Sequence, residues 1–135
     1  MILVLRLVPA WIQVAVEFRH RSWHCEDIFA LLQAHRAAYC VVSGANLPCT
    51  LRATTDLVYV RMHGPDHHLY CGSYPDADLR WWADRIREWD LAGHDVFVYF
   101  NNDGNANAVR NARTLRALPV SGAASHPAAH AVNPG

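Results

Sequence analysis

A parallel α/β architecture is what this sequence predicts, and three observations carry it. Short apolar runs alternate with longer amphipathic ones over residues 1–118. The apolar runs are nearly continuous, as in strands covered on both faces, and lack the strict alternation of a half-solvated antiparallel sheet. Their order is strand, helix, strand, loop, strand, helix, strand, helix, which is the order of crossover-connected parallel units. About four strands and three helices make either a small open sheet or one half of an eight-stranded barrel.

Each element has its own warrant. Val14 to Phe18 reads as the first strand, and Cys25 to His35 as a helix with Ile28, Leu31 and Leu32 on one side. Ala38 to Val42 is the second strand, followed by an irregular stretch from Ser43 to Thr55. Leu57 to Arg61, rich in Val and Tyr, is the third. From Asp76 to Leu91 the residues Leu79, Trp82, Ala83, Ile86 and Trp89 recur at spacings of three and four, so they share a helical face. Asp76 and Asp78 suit the positive N-terminal end of that helix, and Gly93 stands where a left-handed cap would end it. Val96 to Phe100 is the fourth strand. Ala106 to Leu118 is the last helix, with Ala108, Ala112 and Leu115 on its buried face.

The polar residues decide between sheet and barrel. Strand parity puts Glu17 with Arg19, Tyr59 with Arg61 and His63, and Phe97 with Tyr99 and Asn101, each set opposite aliphatic or aromatic neighbours. One face is therefore fit to lie under helices, and the other becomes charged as each strand ends. A TIM-like barrel is built this way, with its site at the C-terminal ends of the strands. An open α/β sheet binds ligands at the same end, so the site's location holds for either fold.

Composition bounds the function. The chain has 135 residues, half of them hydrophobic, enough for one domain with a real core. Residues 119–135, rich in Ala, Pro, Gly, Ser and His, read as a mobile tail, and His126 and His130 lack a scaffold there for metal binding. Twelve basic residues balance twelve acidic ones, so no global field draws in nucleic acid, and a nucleic-acid partner is not expected. Cys25, Cys40, Cys49 and Cys71 form no CxxC pair and read as free thiols of a cytoplasmic protein. The apolar opening, Met1 to Val8, is the one candidate targeting segment. Arg6 interrupts it, no basic region precedes it, and it is far shorter than the roughly 20 residues of a membrane span.

The same residues carry a family resemblance. Ala15-Val16-Glu17-Phe18-Arg19-His20-Arg21-Ser22-Trp23 resembles the AVEFRHxSW segment of the YecE-like family, the domain of unknown function seventy-two. Asp56 to Pro65 is similar to that family's strand ending in R-x-HG, and Leu79 to Ile86 to its L-x-x-WA helix. Tyr99-Phe100-Asn101-Asn102, followed by Ala108 and Asn111-Ala112, resembles its closing segment. The resemblance covers roughly residues 14–118 and implies the C-terminal half of a (β/α) barrel, beginning just before the fifth of eight strands, in a family with no assigned reaction. Members are about twice this length, and their N-terminal half has no counterpart here. A truncated gene and a genuine short product give the same sequence.

The candidate site follows, each residue with two readings. Glu17 and His63 are the candidates for proton transfer; Glu17 is otherwise a structural ion pair with Arg19 or Arg61. Arg19 and Arg61 would clamp an anionic or polyhydroxy ligand, or simply balance charge. Tyr59 and Tyr99 would shape the pocket. Asn101 and Asn102 would orient the ligand, or else form a turn or cap the last helix. His63, His67 and His68 follow no zinc spacing, so no metal is assigned. Trp81, Trp82 and Trp89 read as packing before they read as a base-stacking platform. No phosphate loop, nucleophile elbow or redox pair specifies a cofactor. The expected function is a small-molecule pocket, serving a hydrolase, isomerase or lyase; the alternatives are a non-catalytic binding module and a gene remnant without autonomous function. The first and fourth strands of a half-barrel are unpaired, and its inner face, read as Ala15, Tyr39, Val41, Tyr59 and Tyr99, is open. Self-association or a separately made N-terminal half is therefore the expected partner.

Overall fold

Four strands step across one sheet in chain order, and that order fixes the architecture. In the computed structural model, which describes residues 2–119 except 45 and 69, the strands are β1 (Val14–Val16), β2 (Ala37–Ser43), β3 (Leu57–Met62) and β4 (Asp95–Phe100). They pair β1-β2-β3-β4, all parallel. A sheet that steps one way by right-handed crossovers carries all its helices on one face, whereas a doubly wound sheet must reverse direction. The helices are α1 (Ile2–Leu7), α2 (Glu26–Ala34), α3 (Asp76–Leu91) and α4 (Asn107–Ala117), with single 3-10 turns at Arg21–Trp23 and Gly104–Ala106.

The core lies between the helices and one face of the sheet. Tyr39 and Val41 of β2 and Val58, Val60 and Met62 of β3 meet Leu32 of α2 and Leu79 and Trp82 of α3 there, with Val96, Val98 and Phe100 of β4 packed alongside. Trp81 and Trp82 are buried, so they pack. Gly93 ends α3 as expected: at φ 88 it lets its own N–H reach Asp90 O and that of His94 reach Trp89 O, a Schellman cap. Thr54 completes the sheet along the start of β2 that β3 does not reach, accepting from Tyr39 N and donating to Ala37 O, both at 2.8 Å.

Three expectations change. The apolar opening, to which no element was assigned above, forms α1, a fourth helix beside the three expected, and among the described residues no helix is long and apolar enough to cross a membrane. The inner face of β2 is Ala38, Cys40 and Val42; Cys40 pairs with Tyr59 and Val42 with Arg61 in register, so Tyr39 and Val41 point into the helix-side core. On α4 the buried positions are Ala108 and Asn111, with Leu115 half-buried, and Ala112 faces solvent. The tail beyond residue 119, with His126 and His130, lies outside the described residues.

Candidate functional site

The strands deliver their polar residues to one place. Ala15 pairs with Ala38, Cys40 with Tyr59 and Phe97 beyond it, Val42 with Arg61 and Tyr99 beyond it. Neighbours in a parallel register point the same way, so these residues share the face opposite the helices. Backbone pairing continues past the strands: His63 N donates to Ser43 O at 2.7 Å and Asn101 N to Met62 O at 2.8 Å. That continuation holds His63 and Asn101 in strand parity. A cavity of about 440 Å³ opens on this face, lined by Ala15, Glu17, Cys40, Tyr59, Arg61, Tyr99 and Asn101, a size that suits a small molecule.

Glu17 is the hub. Its Oε2 accepts from Arg61 Nη1 at 2.7 Å, and its Oε1 lies 2.8 Å from Arg19 Nη2 and 3.3 Å from His63 Nε2. The Glu17–Arg61 pair reaches from the end of β1 to β3 and so roofs over β2 between them, which is how Cys40 and Val42 come to be buried on the cavity side. Arg61 Nε also donates to Asn101 Oδ1 at 3.1 Å, tying β3 to the end of β4. Tyr59 and Tyr99 stack with centroids 5.0 Å apart and 22° between planes; Tyr99 remains 47% exposed.

Charge states follow from these contacts. Burial by itself would raise the Glu17 carboxyl, but the Arg61 hydrogen bond and the charges of His63, Arg61 and Arg19 hold it below the ordinary carboxylate range. Burial pushes His63 down, and the arginines push it further, against the pull of Glu17, so it is neutral at neutral pH. Two guanidiniums against one carboxylate leave a single net positive charge. His63 is fully buried. Its Nε2 is within ion-pair distance of Glu17 but poorly aligned, and neither ring nitrogen makes a well-formed hydrogen bond among the described residues. Burial, with Glu17 next, pushes the Cys40 thiol up to about 12, which leaves it protonated and unreactive.

The structure thus brings Glu17, Arg19, Tyr59, Arg61, His63, Tyr99 and Asn101 together. Asn102 does not join them. Strand alternation turns it to the helix side, where it is wholly buried and donates to Gly72 O at 2.9 Å and Asn111 Oδ1 at 2.8 Å. Asn111 in turn accepts from Tyr74 N and donates to Ser73 Oγ, and the Tyr74 hydroxyl accepts from Gly64 N. The paired asparagines therefore divide: Asn101 faces the cavity, and Asn102 anchors the segment between Gly64 and Tyr74. Sequence reading missed Tyr70, whose hydroxyl accepts from Arg19 Nη2 at 3.0 Å. It sits in a loop, where no periodicity aims a side chain. His67 and His68 are exposed, and among the described residues no group of three His, Cys, Asp or Glu is placed to hold a metal.

A half-barrel of parallel strands with a charged cluster at their C-terminal ends is the class these features define. The family model described as Protein of unknown function DUF72 matches residues 2–131, and the chain belongs to that family. It is 29% identical to the UPF0759 protein YunF of Bacillus subtilis, over 79% of this chain and 46% of that protein. A DUF72 family protein from Thermotoga maritima superposes with a TM-score of 0.68 at 28% identity, covering 78% of this chain and 45% of that one. A DUF72 family protein from Enterococcus faecalis superposes with a TM-score of 0.72 at 17% identity, over 79% and 47% of the two chains, a likeness of fold. The chain spans about half the length of these relatives. The structural neighbours are TIM-barrel-like, so the four-stranded sheet corresponds to half of such a barrel.

Proposed function

We propose that this protein binds a small anionic or polyhydroxy ligand at the C-terminal ends of its strands, with Arg61 and Arg19 taking the negative group. The observation that carries the reading is the Glu17–Arg61 pair in the wall of a cavity of small-molecule size, with a second guanidinium, Arg19, 2.8 Å from the same carboxylate, so that the cluster as a whole is net positive. Bidentate guanidiniums suit carboxylates and phosphates. Tyr59, Tyr99 and Asn101 supply a flat wall and a polar contact for a sugar-like body.

Proton transfer belongs to His63 rather than to Glu17. A carboxylate held down by two arginines is a weak base and carries no proton to give, whereas a neutral imidazole accepts one near neutral pH. Glu17 then acts on His63 as a counter-ion that steadies the imidazolium as it forms. Hydrolysis, isomerisation and lyase chemistry all use such a pair.

The free edges support a partner as well. Among the described residues β1 and β4 each have one unpaired side, and the inner face ends in the exposed Phe97 and Tyr99. A second four-stranded parallel unit, from another copy or from a chain like the other half of the relatives, fits those edges. All four cysteines are unbridged, which suits a reducing cytoplasm.

Calorimetric titration with inorganic phosphate, a sugar phosphate and the neutral sugar tests the ligand reading. The two anions should bind and the sugar far more weakly, with affinity falling as salt rises. Arg19→Gln, a change at a side chain 44% exposed, should weaken both anions without unfolding the chain. Equal binding of sugar and sugar phosphate would refute the proposal.

A further inference from the structure

Tyr70 occupies its place at a conformational cost. Its φ is 68, a left-handed backbone that bulky residues avoid. Three contacts hold it there. Its N–H donates to His63 O, its hydroxyl accepts from Arg19 Nη2 at 3.0 Å, and its ring stands edge-on to the His63 ring, centroids 5.3 Å apart at 83°. The chain on either side is fixed. A Cβ on Gly64 would lie 2.1 Å from Cys71 O, so the two ends of the loop touch, and Asn102 pins Gly72 from below.

The result is an asymmetry between neighbours. His63 is fully buried while Tyr70 packed against it is 42% exposed. Among the described residues neither buried ring nitrogen of His63 makes a well-formed hydrogen bond, an arrangement that costs free energy unless a further polar partner completes it. Glu17, Arg61 and Arg19 are the charged groups that face it, and the Tyr70 ring packs against it edge-on.

We infer that Tyr70 is a displaceable cover on the site: its hydroxyl holds the place on Arg19 that a ligand's oxyanion takes, and its half-exposed ring keeps His63 buried until that exchange occurs. The inference rests on the anion-binding reading above. An oxyanion that pairs with Arg19 and the phenol oxygen compete for the same guanidinium, and a charged acceptor binds it more strongly than a neutral one. Once the latch is broken, rotation of the Tyr70 side chain opens the way to His63. Recognition of the negative group and access to the proton carrier thereby become one event, and an oxyanion whose neighbouring atoms exchange a proton is the ligand class that would use it.

The test uses the full chain, inorganic phosphate as probe, and the variants Tyr70→Phe and Tyr70→Ala. Tyr70→Phe keeps the ring and removes the internal competitor, so phosphate should bind about 2- to 10-fold more tightly, the worth of one neutral hydrogen bond. Tyr70→Ala removes the cover, so the imidazole NMR titration of His63, assigned with His63→Asn, should move up toward the ordinary 6.5. Phosphate binding to Tyr70→Phe that is no tighter than to the parent would overturn the latch. A His63 midpoint unchanged in Tyr70→Ala would overturn the cover. Absence of phosphate binding to any form would sink the ligand reading and the latch together, while the His63 titration still decides the cover on its own.

Discussion

Replacing Glu17 by glutamine keeps the shape of the side chain and removes the charge that three neighbours share. The amide has one acceptor oxygen where the carboxylate has two, so either Arg61 Nη1 at 2.7 Å or the Arg19 and His63 side, at 2.8 and 3.3 Å, meets an N–H donor instead. The Arg19 contact contributes about 0–1 kcal/mol, because that guanidinium is 44% exposed and water replaces the partner. The Arg61 contact is the larger share. A fully buried pair costs about 3–5 kcal/mol when one member is removed, but Arg61 is 30% exposed against 14% for Glu17 and regains some hydration. The expected loss is therefore about 2–3 kcal/mol in total. Urea unfolding, with an unchanged slope, measures it. The loss should also depend on pH. Glu17 titrates below its ordinary 4.5 in the folded chain, so its contribution is complete above that pH and disappears as pH falls through the folded value. Parent and variant should converge in acid. A loss below about 0.5 kcal/mol at neutral pH, the range of an ordinary surface change, would show that the cluster does not hold the strand ends together.

Other expectations follow from the same contacts. His63 is neutral when folded and protonates more readily when unfolded, so stability should decline as pH drops below 6.5. His24, also lowered by burial, contributes in the same direction, and the difference between the parent and His63→Phe isolates the share of His63. Asn102→Ala should destabilise by about 1–3 kcal/mol, leaving Gly72 O and Asn111 Oδ1 without their donor; Asn101→Ala should instead weaken ligand binding with little change in unfolding midpoint. Mass spectrometry after iodoacetamide treatment at about pH 8 should find Cys25 and Cys71 modified well before Cys40, whose buried thiol stays protonated.

What the sequence made legible was whatever repeats. The spacing of Leu79, Trp82 and Ala83, and the glycine that ends their helix, reappear with the expected boundaries Asp76–Leu91. Parity in the third and fourth strands placed Arg61, Tyr99 and Asn101 on the cavity side. Parity failed on the second strand because Ala37–Ser43 is buried throughout, so nothing in Ala-Ala-Tyr-Cys-Val-Val alternates. Asn102 was misplaced by being read with its neighbour, although one residue along a strand reverses the face. The Tyr70 and Tyr74 contacts join residues separated by 51 and 37 positions across a loop, and no local pattern encodes them.

The central claim is that the strand ends around Glu17 and Arg61 form an anion site, and NMR of the 15N-labelled chain during phosphate titration tests it most directly. Shifts should concentrate on Glu17, Arg19, Arg61 and Asn101, including the Arg61 Nε–H that donates to Asn101, and should shrink as salt is added. Shifts spread instead over exposed arginines such as Arg80, Arg87 and Arg110, with the cluster unmoved, would contradict the account.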